Sequence, residues 1–377
     1  MGDKFDIAIV GGGIIGVAAA AFLAEAGVRV GLFERDDIAS AASGRNSGAI
    51  QHPFDPFMAD LHRRSVALYR EFDEGNDFVL PPSPAGLLLL SDDAAAVTAA
   101  AGSIALHSPD LAPVVLDRAE LHALEPALAR DLVACRLETG YPVAPAAATK
   151  AFAARARRAG ATIEIGAPAH VVMRGHVAAG VRLDSGREVA ADKVLVAAGP
   201  WTPALVPGWS EAARLPIRPV WGVVVTVALE QPPRAVLEEL GIDRPGPQPD
   251  ELFSMVTAGS DTSVGSTFLT QQPDPQQRVG GILERAKRYV PALDAAQLMR
   301  VRACARPAAY DGRPLIGAVP EVDGLFVCAG HGPWGISTGP ASAFLVVDEM
   351  LGVGSVPDVL RARRWTPTRA DEAHDDA

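Results

Sequence analysis

The run Gly11-Gly12-Gly13-Ile14-Ile15-Gly16 constrains the fold of this chain more than any other segment. It matches the pattern G-x-G-x-x-G, follows an apolar run at 5–10 and opens a helical pattern at 14–26. In such a turn the first glycine makes the bend, the second lets a pyrophosphate approach the backbone and the third lets the helix pack on the sheet. The next apolar run, 28–33, precedes Glu34, whose carboxylate can accept hydrogen bonds from ribose hydroxyls. The sequence therefore predicts a dinucleotide-binding unit at its start.

The composition is typical of a globular protein and excludes several classes of function. Of 377 residues, 49% are hydrophobic and 21% are charged, which excludes a disordered or collagen-like chain. The net charge of −11 argues against a nucleic-acid partner. The eight histidines lack metal-binding spacing and the three cysteines form no C-x-x-C pair, so we expect no metal and a reducing, cytoplasmic location. No segment reaches the ~18 apolar residues of a membrane span, and Asp3 and Asp6 disfavour a signal peptide.

Alternating apolar and polar segments organise the rest of the chain as an α/β protein. Apolar runs predict strands at 86–90, 162–165, 193–198, 220–229 and 325–328. Helical patterns occupy 58–72, 92–101, 118–124, 146–159, 281–289 and 340–350. The proline-rich stretch 232–249 predicts an irregular excursion, and the polar residues 366–377 predict a flexible tail.

Two later segments favour FAD over NAD as the dinucleotide. The strand pattern 194–199, followed by Pro200-Trp201, is similar to the segment that returns under the dinucleotide in flavoproteins with two-dinucleotide folds. The runs 311–317 and 325–332 are similar to their closing strands and flavin-facing loop. FAD is therefore the cofactor that we expect.

These motifs together resemble those of the D-amino-acid oxidase superfamily of FAD-dependent oxidoreductases, with a layout nearest to glycine oxidase and monomeric sarcosine oxidase. The resemblance is carried by Gly11 to Gly16, Glu34-Arg35, Ser43 to Gly48, and the segments 116–126, 194–201, 218–222 and 306–335. It implies an FAD-binding two-dinucleotide-fold (Rossmann-like) domain made of residues 1–80, 145–215 and 300–365. It also implies a second, mixed-sheet α+β substrate domain made of residues 81–144 and 216–299.

The resemblance implies which residues bind FAD. Ser43 and the segment 47–49 would lie along the diphosphate and the flavin ring, and the backbone of Ala169 would meet the adenine. The alternative for 40–48 is a solvated loop, because its Gly, Ser and Asn content is typical of turns. The full expected set is Gly11, Gly13, Ile14, Ile15, Gly16, Glu34, Arg35, Ala42, Ser43, Arg45, Asn46, Ser47, Gly48, Ala49, Ala169, Gly199, Gly332, Gly335 and Ile336.

Four residues are candidates for substrate binding and catalysis. Arg306 occupies the Arg-Pro position that pairs with the substrate carboxylate in D-amino-acid and glycine oxidases, and a guanidinium can bind a carboxylate with two donors. The alternative is a structural arginine. His331 is either catalytic or structural, and His52 either faces the substrate or lies at a helix entry. Trp334 stands where sarcosine oxidases carry a lysine, in a loop before a helix that Thr338 could cap.

The expected reaction is oxidation of the C–N bond of an amino acid or related amine, by hydride transfer to flavin N5, to an imine that hydrolyses. Two alternatives stay open: a 2-hydroxy-acid dehydrogenase passing electrons to a carrier, and a flavin-carrying subunit of a larger complex. A flavin monooxygenase is disfavoured because Gly330-His331-Gly332 replaces the Gly-Asp motif of that class. The electron acceptor is oxygen or a carrier. Sarcosine oxidases carry a lysine that activates oxygen, and this chain has no lysine between Lys193 and Lys287.

Cys304 raises the question of a covalent flavin. It stands seven residues before Asp311, the spacing at which sarcosine oxidases hold the cysteine that bonds to FAD. However, Arg306-Pro307 follows the pattern of the non-covalent oxidases, and a lone cysteine is commonly a small buried hydrophobe. We therefore expect FAD to be held non-covalently.

Overall fold

Two eight-stranded β-sheets and a two-stranded one organise the part of the chain that is described, residues 4–72, 78–210, 216–241 and 250–365 of a computed structural model. The predicted tail at 366–377 lies outside these residues. The strands are β1 Lys4–Val10, β2 Val30–Phe33, β3 Ala49–Ile50, β4 Leu87–Ser91, β5 Val114–Leu116, β6 Val133–Leu137, β7 Tyr141–Pro142, β8 Thr162–Glu164, β9 Ala169–Arg174, β10 Val177–Leu183, β11 Glu188–Val196, β12 Ile217–Ala228, β13 Val236–Glu239, β14 Glu251–Ala258, β15 Asp261–Thr267, β16 Gln297–Ala309, β17 Leu315–Ala318 and β18 Leu325–Ala329.

Eight α-helices accompany the sheets in the described ranges. They are α1 Ile14–Glu25, α2 Ala42–Arg45, α3 Pro56–Tyr69, α4 Ala94–His107, α5 Arg118–Leu124, α6 Ala147–Arg158, α7 Pro275–Lys287 and α8 Gly335–Leu351. None of these helices is long and apolar enough to cross a membrane.

The first sheet has the order β17-β18-β11-β1-β2-β8, with the β9–β10 hairpin attached to β11. Its central strands β11, β1 and β2 run parallel, and Val10 pairs with both Phe33 and Val196. Helix α1 is buried along residues 14–24 because it packs between this sheet and the helices α6 and α8. Parallel strands covered by helices are the arrangement that the α/β prediction requires, and the expected Rossmann-like fold is confirmed.

The second sheet has the order β16-β12-β15-β14-β13-β4-β6-β5. Strand β13 lies inside the proline-rich stretch that was predicted to be irregular, so that prediction is wrong for 236–239. The reason is that Val236 and Leu237 are fully buried and pair in parallel with β4. Strand β16 belongs to this sheet and crosses residue 300, where we predicted a domain boundary. The division into two domains itself stays a prediction.

Helix α8 begins earlier than its sequence indicates. It starts at Gly335, so Thr338 lies inside the helix and is not its N-cap. The Thr338 hydroxyl instead donates a hydrogen bond to the Trp334 carbonyl at 2.8 Å. The first turn of α8 therefore begins at Gly335, the last residue of the glycine-rich segment 330–335 that was expected to be a loop.

Candidate active site

A cavity of about 450 Å³ opens where the parallel strands of the first sheet end and the second sheet begins. The turns after β1, β2, β11 and β18 line it from one side, and residues of β12, β13, β14 and β16 line it from the other. The carboxyl ends of parallel strands are where α/β proteins bind their ligands. The cavity is therefore the candidate active site.

The glycines after β1 form a cradle that larger residues would fill. Gly11 has φ of +114°, and a Cβ atom there would lie 2.5 Å from the Ala197 carbonyl oxygen. A Cβ atom at Gly16 would lie 2.0 Å from the Gly11 carbonyl oxygen, so helix α1 can approach the strand only with glycine. At Gly13 a Cβ atom would meet only the Ser43 hydroxyl, at 3.1 Å, on the cavity side. Two of these glycines therefore shape the turn, and Gly13 leaves space for a ligand.

The polar groups around the cradle fit the diphosphate and ribose of a dinucleotide. Helix α1 begins at Ile14, and Gly13 gives it no side-chain cap. The Ile14 amide donates to the Ser43 hydroxyl at 3.0 Å. The Glu34 carboxylate lines the cavity and accepts hydrogen bonds from the amides of Gly12 (2.5 Å) and Asp36 (2.8 Å). A helix N-terminus favours an anion, and a carboxylate at the end of β2 favours hydroxyls, so the residues present fit FAD.

The segment 42–49 is folded against the second sheet and is not a solvated loop. Asn46 holds it from within, because its amide donates to the carbonyls of Ala42 and Ser43 and its oxygen accepts from the Gly48 amide. Arg302 on β16 donates to the carbonyl of Asn46 at 3.0 Å and to that of Arg45 at 3.3 Å. Sequence reasoning missed this role of Arg302, since an arginine that binds backbone carbonyls has no local signal.

Arg306 projects into the cavity with its guanidinium held in place. Nη1 donates to the Thr267 carbonyl at 2.7 Å, and Nη2 donates to the Ser266 hydroxyl. The Phe268 ring lies 4.4 Å from Cζ. The side chain crosses β12 at Gly222, where a Cβ atom would come within 2.5 Å of Nη2. A guanidinium that is positioned in this way presents planar donors to a carboxylate.

His331 is fully buried beside the cavity and is neutral. The Ser342 hydroxyl donates to the Thr338 carbonyl, so it accepts a hydrogen bond from His331 Nε2 at 2.9 Å. Nδ1 then has no proton and no hydrogen-bond partner among the described residues. Burial lowers the pKa of His331 to about 3, so it cannot supply a positive charge at neutral pH. Any catalytic role of His331 would thus be that of a hydrogen-bond acceptor.

The buried state of His331 predicts how stability depends on pH. Its pKa is lower in the folded protein than its ordinary value of 6.5, so the unfolded chain binds a proton that the folded chain does not. Above pH 6.5 this group does not lower the free energy of unfolding. As the pH falls below 6.5, the free energy of unfolding decreases. We expect the free energy of unfolding to drop between pH 6.5 and 4.5 by about 1.4 kcal/mol per pH unit more in the wild type than in His331→Gln. Urea unfolding across this range measures it, and equal slopes would contradict the assignment.

His52 and three of the residues that were expected to bind FAD do not line the cavity. His52 is 2% exposed, its amide donates to the Thr139 hydroxyl at 2.9 Å, and its Nδ1 accepts from the Phe54 amide. It packs against the buried His62, so its position agrees with the helix-entry alternative. The other predicted residues outside the cavity lining are Gly16, Arg45 and Gly48.

The remaining predicted residues come together around the one cavity. Those that line it are Gly11, Gly13, Ile14, Ile15, Glu34, Arg35, Ala42, Ser43, Asn46, Ser47, Ala49, Ala169, Gly199, Arg306, His331, Gly332, Trp334, Gly335 and Ile336. Sequence reasoning missed Gln51, Glu238 and Ser254, which line the same cavity from distant parts of the chain. A polar residue on a strand gives no signal of the cavity it faces until the strands are paired.

The chain is similar to known flavoproteins along nearly its whole length. Residues 6–349 match the family model described as FAD dependent oxidoreductase. Glycine oxidase of Geobacillus kaustophilus (strain HTA426) is 29% identical over 92% of this chain and 93% of that protein. Hydrogen cyanide synthase subunit HcnC of Pseudomonas aeruginosa is 28% identical over 78% of this chain and 71% of that protein. The crystal structure of glycine oxidase from Bacillus cereus ATCC 14579 has a TM-score of 0.79 at 27% identity, covering 93% of this chain and 95% of that one.

Proposed function

The chain belongs to the family of FAD-dependent oxidoreductases, and we propose that it oxidises the carbon–nitrogen bond of an amino acid or related amine. The observation that carries the proposal is the position of Arg306. Its guanidinium lines the same cavity as the glycine cradle at 11–13, so a carboxylate ligand would lie in the same space as the cofactor. The similarity to glycine oxidases along nearly the whole chain supports the same reaction class.

Two parts of the chain would act together with the cofactor in this reaction. FAD, when bound, supplies the two-electron acceptor for the hydride that leaves the substrate Cα. Arg306 would bind the substrate carboxylate and so orient the substrate Cα. Orientation of this kind supplies the larger part of catalysis when a reaction needs little acid–base chemistry. The first turn of α8, from Gly335, would direct its amide groups toward negative charge in the cavity. The imine product then hydrolyses to a carbonyl compound and ammonia or an amine.

Two alternatives keep the fold and change the role. A 2-hydroxy-acid dehydrogenase would use Arg306 in the same way, because its substrate also carries a carboxylate. A flavin-carrying subunit of a larger complex is favoured by one observation, the similarity to a protein named as a subunit of hydrogen cyanide synthase. Turnover by the isolated chain separates this second alternative from the two enzyme reactions.

Anaerobic bleaching of the bound flavin tests the proposal. We expect amino acids of one configuration, such as one enantiomer of alanine, to bleach the flavin. The matched hydroxy acids, such as lactate, should leave it oxidised. Bleaching by the hydroxy acids alone would establish the dehydrogenase alternative.

We also propose that oxygen is the slower electron acceptor, because the chain has no lysine between Lys193 and Lys287 that could activate it. Mixing the reduced protein with air and, separately, with an artificial acceptor tests this proposal. Reoxidation as fast in air as with the artificial acceptor would contradict it.

We propose that FAD is bound without a covalent link. Cys304 lines the cavity, and burial raises the pKa of its thiol although the cations of Arg306 and Arg302 oppose this. A protonated thiol is a poor nucleophile for the flavin methyl group. Acid precipitation should therefore release all the flavin into the supernatant. Flavin in the pellet of the wild type, and not in that of Cys304→Ala, would contradict this prediction.

We also propose a cytoplasmic location. Cys135, Cys304 and Cys328 are buried and none of them forms a disulfide. Free thiols of this kind are typical of a reducing compartment.

A further inference from the structure

Arg302 on β16 is a partly buried cation whose partners are neutral groups. Its Nη2 donates to the Ser263 hydroxyl at 2.7 Å and to the Asn46 carbonyl at 3.0 Å. Its Nη1 donates to the Thr226 hydroxyl, and its Nε donates to the Arg45 carbonyl at 3.3 Å. All of these partners are hydroxyl or carbonyl oxygens, so no carboxylate of the described residues forms an ion pair with Arg302.

The charge of Arg302 is not cancelled by its charged neighbours. Burial lowers the pKa of the Arg302 guanidinium, yet an arginine keeps its proton at neutral pH. Arg300 lowers this pKa further and Asp261 raises it, and these two residues form an exposed ion pair with each other at 3.1 Å. Their opposite charges largely cancel, and water screens what remains. A desolvated positive charge is therefore left at Arg302.

The glycine cradle indicates which part of the cavity would hold the flavin ring. On one side of the cradle the Gly12 amide donates to Glu34, and on the other the Ile14 amide donates to Ser43. A carboxylate at the end of β2 binds the ribose of the adenosine half of a dinucleotide, so the flavin half would extend past Ser43. We call this part the flavin side of the cavity. Its lining includes Ser47, Ala49, Cys304 and Arg306.

Arg302 lies behind the flavin side of the cavity. Cys304 lines the cavity two residues further along β16, and residues two apart in a strand share a face at a separation of about 7 Å. Arg302 also holds Asn46, which lines the cavity as well. Burial raises the pKa of the Cys304 thiol, whereas the cations of Arg306, Arg302 and Arg45 act to lower it. The charge of Arg302 therefore acts on the flavin side of the cavity.

Reduction of a flavin creates the negative charge that such a cation stabilises. A hydride brings one proton and two electrons, so the neutral ring that accepts it becomes an anion. A nearby positive charge stabilises this anion more than the neutral ring and so raises the reduction potential. Glu238 also lines the cavity, and its carboxylate opposes one of the guanidinium charges. The charge of Arg302 would then leave the flavin side positive.

We propose that Arg302 sets the reduction potential of bound FAD from behind the segment 42–49, without contacting the substrate. Its charge favours the reduced flavin, and its hydrogen bonds to the carbonyls of Arg45 and Asn46 hold the guanidinium in place. The inference requires FAD in the cavity and does not depend on which substrate is oxidised.

The midpoint potential of the bound FAD, measured in the holoenzyme against a reference dye without oxygen, tests the inference. Arg302→Gln removes the charge and keeps an amide that can donate to the same carbonyls. We expect the potential to fall by about 30 mV or more, a tenfold shift of the two-electron equilibrium toward the oxidised flavin. Arg302→Lys keeps the charge and should stay within about 10 mV of the wild type. An unchanged potential in Arg302→Gln, or an equal fall in Arg302→Lys, overturns the inference.

Arg300→Gln is the matched control. Arg300 lies on the same strand as Arg302 and has the same charge, but it pairs with Asp261 at the surface. Because water screens exposed charges, this variant should keep the potential within about 10 mV of the wild type. A fall as large as that in Arg302→Gln would show that the potential follows the net charge of the protein, and it would overturn the inference.

Ser263→Asp serves in place of Arg302→Gln if the latter does not bind FAD. The Ser263 hydroxyl accepts a hydrogen bond from Arg302, so a carboxylate at this position would neutralise the guanidinium without removing it. We expect the same fall of about 30 mV in the midpoint potential, and an unchanged potential contradicts the inference.

This measurement is independent of the proposed function because the dye, and not a substrate, exchanges electrons with the flavin. Reduction of the wild type by amino acids, together with an unchanged potential in Arg302→Gln, contradicts only this inference. A lowered potential in Arg302→Gln, together with no reduction of the wild type by any amino acid, supports the inference and contradicts only the proposed reaction.

Discussion

Valine at Gly13 should leave the purified protein folded but with a lower content of bound FAD. Its Cβ atom would meet only the Ser43 hydroxyl within the protein, so the turn can accept the side chain. The side chain would, however, occupy the space in which a pyrophosphate approaches the start of α1. Loss of one or more hydrogen bonds to a charged group, each worth about 1.5–3 kcal/mol, should weaken FAD binding at least about tenfold. The ratio of absorbance at 450 nm to that at 280 nm measures the occupancy.

Gly102→Val is the matched control for this substitution. Gly102 lies in α4, and a Cβ atom there would meet no other atom within 4 Å. Because valine is a somewhat better helix former than glycine, this variant should not destabilise the helix, and it should leave flavin occupancy unchanged. Glu34→Ala should lower the occupancy too, because its carboxylate lines the same cavity. Stoichiometric flavin in Gly13→Val would show that the cofactor does not lie in the cradle.

Alanine at Arg306 should weaken substrate binding by about 1.5–3 kcal/mol, the value of hydrogen bonds to a charged group. The variant removes a guanidinium that Thr267 and Ser266 hold in the cavity. The apparent dissociation constant, obtained from the concentration dependence of anaerobic flavin reduction, should rise by about tenfold to a hundredfold. Arg300→Ala is the control, since Arg300 lies on the same strand and pairs with Asp261 at the surface. Unchanged affinity in Arg306→Ala would show that the residue is structural.

Gly222→Ala should weaken the same interaction without removing a charge. The added methyl group would lie within 2.6 Å of the Arg306 guanidinium carbon, so the side chain must move from its present path. We expect a higher dissociation constant for the substrate with unchanged flavin content. An affinity equal to that of the wild type would mean that the observed position of Arg306 is not the one that binds substrate.

The cofactor cradle could be predicted from the sequence because its determinants are close together in the chain. The strand, the glycine turn, the helix and Glu34 lie within residues 4–34, and hydrogen bonds between neighbours fix their geometry. Helix α5 was predicted at its exact bounds for the same reason, since Asp117 and Glu120 form a capping box. The family resemblance extended this prediction to Arg306, which the structure places in the same cavity.

The far side of the cavity was decided only by the tertiary structure. Strand β13 lies among prolines that indicate a loop, and it becomes a strand because β4, about 150 residues earlier in the chain, pairs with it. That pairing brings Glu238 to Gln51 across 187 residues. Arg302 reaches Asn46, in the segment 42–49, across 256 residues. Local periodicity indicates whether a residue lies on a strand and which face of the strand it occupies. Which strands become neighbours depends instead on burial of the whole sheet. The pairing of the strands then decides which groups each polar side chain contacts.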